Sequence, residues 1–215
     1  MVTLFLIGNL ASGKSTAARY LASHGARRID LDQLAKDLYV PGSDIVIALA
    51  DAFGSEILNE HGGICAKALA ERAFATQETV RMLNDIVLPA VYERLKDLLQ
   101  TYASSPSEHA SPQLTVVEVS LAREFAYAFP LADEIMAVTT PCEVRLARAV
   151  ARGMSRCDAE RRIALQPSEE ELMALATCVI DNSAADDTLF EQLDAWCSAH
   201  GFARDPMTQE PSHEY

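Results

Sequence analysis

The residues that could carry chemistry begin near the amino terminus, where residues 8–15 read GNLASGKS. This stretch fits the pattern G-x-x-x-x-G-K-[ST], in which backbone N–H groups surround phosphate oxygens. Gly13 allows the turn, Lys14 bridges β- and γ-phosphate oxygens, and Ser15 ligates Mg²⁺. We predict that ATP or GTP binds here with Mg²⁺. The alternative, which we do not favour, is a chance match to the pattern. The residues predicted to hold the phosphates are Gly8, Ala11, Ser12, Gly13, Lys14, Ser15 and Thr16.

The elements on both sides of this loop are the ones that a phosphate cradle requires. An apolar run, Val2–Ile7, is bounded by glycine and predicts a strand that is buried on both faces. Small and apolar residues at helical spacing follow over residues 14–24, and a second short strand is predicted over 27–31. Strand, helix and strand form a βαβ unit, whose ligand site lies at the carboxyl ends of the strands.

Two carboxylates stand at the end of the second predicted strand, Asp30 and Asp32. In a doubly wound sheet this position faces the γ-phosphate across the crevice. An aspartate there can accept or orient the proton of an attacking hydroxyl. Aspartate is also a preferred N-cap of the following helix. Both roles fit Asp30, whereas we favour the chemical role for Asp32.

A cluster of six arginines lies within residues 141–162, against three acidic residues. Arg145, Arg148 and Arg152 recur at helical spacing, so they share one face and could close over the transferred phosphoryl group as a lid. The alternative is a solvated helix face paired with acidic neighbours. We select Arg148 and Arg152, since they lie nearest the end of the predicted helix.

Composition limits the classes of protein to which the chain can belong. Its 215 residues are 49% hydrophobic, which suits one domain or a core with an insert and excludes intrinsic disorder. A net charge of -13 argues against nucleic acid as the partner. The five cysteines form no C-x-x-C pair, which favours reduced thiols and a cytoplasmic location. The apolar run at the amino terminus is too short for a signal peptide or a membrane span, so we expect no membrane partner.

The remaining pattern predicts how the chain is organised. Residues 34–103 are almost wholly helical and predict an insert; 104–113 are a Pro/Ser-rich connector; 201–215 are a polar tail. Strands are predicted over 115–119, Glu134–Thr139 and Cys178–Asp181. Residues 1–33 and 114–200 then form the nucleotide-binding core, with a lid over about 141–166. We predict a three-layer α/β fold of P-loop NTPase type, with a parallel five-stranded sheet.

From about residue 2 to about residue 196, the chain resembles the dephospho-coenzyme A kinase family, through the order and spacing of many short motifs. The matching residues, in chain order, are Lys14, Asp30 with Asp32, Pro41-Gly42, residues 53–58 (FGSEIL), Leu83-Asn84, Pro89, Glu124, Pro141, Arg148 with Arg152, residues 162–166 (RIALQ) and residues 179–182 (VIDN).

The resemblance implies transfer of the γ-phosphoryl group of ATP to the 3′-hydroxyl of the ribose in dephospho-coenzyme A. Asp32 would then receive or orient the hydroxyl proton, and Arg148, with Arg152 close by, would serve as the lid arginine. Asn182, after the last strand, could contact the adenine or could belong to an ordinary turn. The expected partner is this small molecule, and a monomer is slightly favoured.

The chain departs from the family pattern at several polar positions. The family has Thr, Arg and His where this chain has Ile7, Ala66 and Leu88, three positions that we expect to face the acceptor, so hydrogen-bond donors are lost there. The family also has Pro in place of Ser120. These changes motivate two alternatives. One is a regulatory module that binds nucleotide or coenzyme A without turnover, and the other is a kinase for another small alcohol.

Overall fold

Parallel strands form the centre of the molecule and carry the candidate site at one edge. The computed structural model describes residues 1–104, 114–184 and 186–202. Within these ranges, one sheet has the order β2-β3-β1-β4-β5 and all of its pairings are parallel. The predicted parallel five-stranded sheet is therefore confirmed. The strands are β1 Val2–Ile7, β2 Arg27–Asp30, β3 Leu114–Val119, β4 Glu134–Thr139 and β5 Cys178–Asp181.

The register of β1 explains why the functional loops meet. Ile7, the last residue of β1, pairs with Val119 of β3 and with Ala137 of β4. Parallel strands in register end at the same edge of the sheet, so the segments after β1, β3 and β4 emerge side by side. The loop at Gly8 is thereby placed next to the residue that follows β3, Ser120.

Helices cover both faces of the sheet. The connection between β2 and β3 is helical, as the sequence predicts, and α5 extends to Ser104, so that residues 105–113 of the predicted connector lie outside the described residues. Residues 203–215 of the predicted tail also lie outside them. Two short 3-10 helices are present, Ser55–Ile57 and Ala126–Leu131. The α-helices are α1 Lys14–Ser23, α2 Leu31–Asp37, α3 Asp44–Phe53, α4 Ala66–Ala73, α5 Gln77–Ser104, α6 Cys142–Ala151, α7 Arg156–Ala164, α8 Glu169–Leu175 and α9 Thr188–Ala199.

Successive residues of β1 point into two apolar cores, one on each face of the sheet. Leu4 and Leu6 pack in a cluster with residues of α1 and α9, including Trp196. Phe5 and Ile7 pack in the other cluster with residues of α3, α4 and α5. This alternation explains why Leu4, Phe5, Leu6 and Ile7 are all apolar. The helices between β2 and β3 therefore share a core with the sheet instead of enclosing one of their own.

A polar cluster ties the end of α9 to the edge of the sheet opposite the loop at Gly8. Glu134, the first residue of β4, accepts hydrogen bonds from Trp196 Nε1 at 3.0 Å and lies 2.7 Å from His200 Nε2. The other ring nitrogen of His200 lies 2.8 Å from the backbone oxygen of Trp196. The hydrogen bond to this oxygen raises the pKa of His200 above its ordinary value, and Glu134 raises it further.

This cluster predicts a pH-dependent part of the stability. Because folding raises the pKa of His200, protonation stabilises the folded chain fully below pH 6.5, the ordinary pKa of the group, and this gain is lost as the pH rises through the folded-state pKa. We expect His200→Gln to destabilise the protein more at pH 5.5 than at pH 8.5, as measured by urea unfolding of both proteins. An equal effect at both pH values would contradict the assignment.

Candidate active site

The loop between β1 and α1 has the geometry of a phosphate cradle. Gly13 has a φ of 101°, a left-handed conformation, and a Cβ placed on it would lie 2.0 Å from Asn182 Nδ2. Glycine is therefore required at this position, both for its backbone and for the space. The first intrahelical bond joins Thr16 N to Gly13 O at 2.9 Å. The N–H groups of Lys14 and Ser15 precede it; they donate to no acceptor in the described ranges and can meet an anion at the helix N-terminus.

Two side chains from neighbouring strand ends hold this loop in place. Asn182, just after β5, donates through Nδ2 to the backbone oxygen of Ser12 at 2.7 Å. The hydroxyl oxygen of Thr140, just after β4, lies 2.9 Å from the same oxygen. Asn182, which the sequence placed near the adenine or in a turn, thus fixes the loop that would carry the phosphates.

Lys14 is buried and feels the charge of three carboxylates. Its side chain is buried, which lowers the pKa of the ammonium group below its ordinary value, and the negative charges of Asp32, Glu118 and Asp30 oppose this effect. Lys14 Nζ donates to Ser120 Oγ at 2.7 Å, and Ser120 Oγ donates to Asp32 Oδ2 at 2.9 Å. The structure thereby joins Lys14 and Asp32, the two residues predicted to act on the phosphoryl group and on the attacking hydroxyl, through a single hydroxyl.

The structure decides between the two roles that the sequence left open for Asp30. Strand β2 ends at Asp30, one residue earlier than predicted, and Asp30 Oδ1 accepts hydrogen bonds from the backbone of Asp32 at 3.0 Å and of Gln33 at 3.3 Å. Asp30 is thus the N-cap of α2, and Asp32 lies in the first turn of that helix. The side chain of Asp32 takes no part in the cap and is available for chemistry.

The arginines of α6 do not form a common lid face, which corrects the grouping predicted from their spacing. Arg145 is only 4% exposed; its Nε lies 3.0 Å from the backbone oxygen of Thr140 and 3.2 Å from Glu169 Oε1. Spacing alone does not reveal this burial, because the acidic partner comes from α8. Arg148 is half-buried, and its guanidinium donates to Ala184 O at 3.1 Å.

Arg148 and Arg152 line an open cleft of about 210 Å³ beside the loop. Gly13, Thr16 and Asn182 lie on its walls, so five of the predicted site residues meet there. Leu189 and Phe190 of α9 add an apolar surface. An apolar surface next to cationic and backbone donors suits a planar base that is joined to phosphates. Lys14 and Asp32 lie outside this cleft and meet at Ser120.

The donor atoms present fit magnesium bound in part by a nucleotide. Ser15, in the first turn of α1, offers an exposed hydroxyl oxygen, a hard ligand of the kind that Mg²⁺ prefers. In the described part of the chain, no group of three or more His, Cys, Asp or Glu side chains could hold a metal ion by itself. In loops of this pattern the Ser or Thr hydroxyl binds Mg²⁺ together with the substrate phosphates, and Ser15 has that place in the loop. None of the helices in the described ranges is long and apolar enough to span a bilayer.

Comparisons with known proteins agree with this geometry. The family model of dephospho-CoA kinase matches residues 2–187. The chain is 34% identical over 197 residues to a dephospho-CoA kinase of Corynebacterium jeikeium, covering 91% of this chain and 98% of that protein. It is 36% identical over 189 residues to that of Carboxydothermus hydrogenoformans, covering 87% and 89%. The crystal structure of TT1252 from Thermus thermophilus superposes with a TM-score of 0.72 at 29% identity, covering 92% and 97%.

This chain belongs to the dephospho-CoA kinase family. It is an ATP-dependent transferase that acts on an alcohol group and uses ATP with Mg²⁺ to convert dephospho-CoA to CoA. The phosphoryl group goes to the 3′-hydroxyl of the ribose, as is standard for the family. Of the functions that the sequence left open, this is the one that the match supports. The fold, with its parallel sheet and flanking helices, is that of the P-loop kinases.

The three residues that depart from the family pattern lie in different surroundings. Ile7 is completely buried in the core beneath α3–α5, and Leu88 packs half-buried against the same core. Ala66 is exposed at the start of α4. The expectation that all three face the acceptor of this dephospho-CoA kinase is thus wrong for Ile7, which faces the core.

Two residues of the site had no role in the sequence analysis. Glu118, in β3, is only 3% exposed and pairs with Arg28 Nε, and its charge reaches Lys14. Ser120 bridges Lys14 and Asp32. A polar residue at the carboxyl end of a strand beside β1 is a usable signal, but it requires the strand order, which the sequence does not provide.

Proposed function

We propose that Lys14, Asp32 and Arg148 carry the phosphoryl transfer from ATP to dephospho-CoA in this chain. The observation that supports these roles is the shared contact at Ser120 Oγ, which lies 2.7 Å from Lys14 Nζ and 2.9 Å from Asp32 Oδ2. A cation for the phosphates and a carboxylate for the hydroxyl are thus linked by two hydrogen bonds through one serine hydroxyl. Phosphoryl transfer needs this combination of positioned charge and a hydroxyl-orienting group.

Each of the donor-side residues has a distinct task. The loop over residues 8–13 and the first N–H groups of α1 surround the phosphates, while Lys14 neutralises charge that develops during transfer. Ser15 holds Mg²⁺, which supplies further charge neutralisation when it is bound. Asp32 accepts a hydrogen bond from the attacking 3′-hydroxyl and then its proton. Covalent participation by the protein is not required.

The cleft beside the loop is proposed to take the adenosine part of ATP. Arg148 reaches it from α6 and donates to Ala184 O at 3.1 Å; its contact with Thr140 Oγ1, at 3.5 Å, is long. A guanidinium held by one good contact to a backbone oxygen can turn toward a phosphate, which binds it more strongly. Arg152 and Asn182 line the same cleft and complete the donor site.

Dephospho-CoA is proposed to bind between the core and the helices of residues 34–103. Asp32 lies in the first turn of α2, which leads from the core into these helices, so an acceptor held by them is brought to the carboxylate that receives its proton. The core then comprises residues 1–33 and 114–200, and the segment over about 141–166 closes over the donor. Closure would exclude water, which competes with the acceptor for the phosphoryl group.

We also propose a cytoplasmic, monomeric enzyme. All five cysteines are free, which suits a reducing compartment. Lys14, Asp32, Arg148 and Asn182 come together within one chain, so the donor site needs no second copy.

Ligand-induced thermal shifts test both binding assignments. Mg²⁺–ADP should raise the Tm, and dephospho-CoA should raise it further when Mg²⁺–ADP is saturating, because the donor site is then filled. A ligand at a hundred times its Kd stabilises a protein by about 2.7 kcal/mol, or roughly 5–10 °C for a chain of this size. Glucose 6-phosphate serves as a control without a nucleotide. A shift with ADP and none with dephospho-CoA would contradict the acceptor assignment.

A further inference from the structure

The hydroxyl of Ser120 lies between the two groups to which we assign the chemistry. It follows β3 directly and is exposed, so it contributes little to the apolar core. Lys14 Nζ and Asp32 Oδ2 both lie within 3 Å of it, at 2.7 Å and 2.9 Å. These two contacts join α1 to α2 across the carboxyl edge of the sheet.

The directions of the two hydrogen bonds follow from the chemistry of the partners. An ammonium group has donors only, so Ser120 Oγ accepts from Lys14. A serine hydroxyl has a single proton, and a carboxylate accepts only, so this proton goes to Asp32 Oδ2. The network has one arrangement, and it fixes the orientation of the Asp32 carboxylate.

Fixing Oδ2 leaves the other oxygen of Asp32 for a substrate. Among the described residues, Oδ1 of Asp32 accepts no hydrogen bond, whereas Asp30 uses its own Oδ1 to cap α2. The free oxygen of Asp32 is thus the one that can meet the attacking hydroxyl. Without Ser120, the carboxylate of this exposed side chain could rotate about χ2, a torsion angle with a broad distribution in aspartate.

We propose that Ser120 is a positioning residue of this kinase, which holds Asp32 in the orientation that accepts the 3′-hydroxyl proton. When ATP is bound, Lys14 turns to the phosphates, and the bond from Ser120 to Asp32 remains. Ser120 thus supports the acceptor side of the reaction and is not needed to hold ATP. The proposal rests on the role given to Asp32 above.

Ser120→Ala should therefore lower kcat and leave ATP binding intact. A misplaced catalytic group costs up to about a hundredfold in rate, so we expect a fall of roughly 10- to 100-fold in kcat. The KM for ATP should not rise, because Lys14 gives up its contact with Ser120 to bind phosphate. Ser120→Thr, which keeps the hydroxyl, should restore kcat to within about fivefold of the wild-type value. A merely structural role would raise KM and lower the Tm as well.

The test is a double-mutant cycle of Ser120→Ala with Asp32→Asn, measured as CoA formation by the full chain. If Ser120 acts through Asp32, the double variant should be no slower than Asp32→Asn alone, within about twofold. Losses that multiply in the double variant, or a Ser120→Thr variant as slow as Ser120→Ala, would overturn the proposal. Loss of activity in Asp32→Asn with none in Ser120→Ala would overturn the role of Ser120 alone. Full activity of Asp32→Asn would overturn both roles.

Discussion

Replacing Lys14 by alanine is expected to lower kcat for CoA formation by roughly a thousandfold or more. The ammonium group is buried beside the loop that surrounds the phosphates, and charge in such a site is neutralised far more effectively than in water. No other lysine or arginine hydrogen-bonds to Ser120 among the described residues, so no neighbour takes over the place of Lys14. Steady-state assays with saturating Mg²⁺–ATP and dephospho-CoA measure the loss.

Two controls separate this loss from damage to the fold. Lys14→Met keeps most of the apolar stem and should be equally inactive, with a Tm close to that of the wild-type protein. Lys96→Ala removes a lysine of α5 whose ammonium lies 3.8 Å from Glu93, a surface pair of little energetic value, and should keep full activity. Substantial turnover by Lys14→Met would contradict the role given to Lys14.

Asp32→Asn is expected to reduce kcat by about 10²- to 10⁴-fold, the usual contribution of a general base. Asparagine keeps the shape of the side chain but cannot take the proton of the 3′-hydroxyl. Binding of Mg²⁺–ATP, measured by calorimetry, should change by less than about threefold, because Lys14 and the loop remain in place.

The matched control is Asp30→Asn. Asp30 caps α2, and asparagine is as good an N-cap as aspartate, so this variant should keep both its stability and its activity. A comparable loss of kcat in both variants would mean that the charge around Lys14 matters and that neither aspartate acts as the base.

The strands and the phosphate loop could be predicted from the sequence because each is a local pattern. The apolar run Val2–Ile7 and the glycine and lysine spacing after it are sufficient, and the structure confirms the strand, the turn at Gly13 and the helix that starts at Lys14. The loop even tolerates Ala11 at a φ of 59°, a conformation that the pattern does not reveal.

Some residues have roles that the sequence could not predict, because these roles depend on the strand order and on the exact residue at which an element ends. The sequence favours the chemical role for Asp32 but leaves Asp30 open, and only the end of β2 at Asp30 shows that Asp30 caps the helix. Arg145 and Arg148 are related by helical spacing, but the acidic partner of Arg145 is Glu169 of α8. The periodicity of the sequence does not predict where α8 lies relative to α6. Ser120 reaches Lys14 and Asp32 because β3 lies between β2 and β1.

The most direct test of the proposed reaction is to incubate the full chain with Mg²⁺, ATP and dephospho-CoA. Mass spectrometry then identifies the product, and digestion of the product locates the new phosphate. We expect CoA with the new phosphate on the 3′-oxygen of the ribose, formed by the wild-type protein and absent with Lys14→Ala. Failure to form CoA by protein that still binds Mg²⁺–ATP would contradict the proposed reaction, as would a phosphate at any other position.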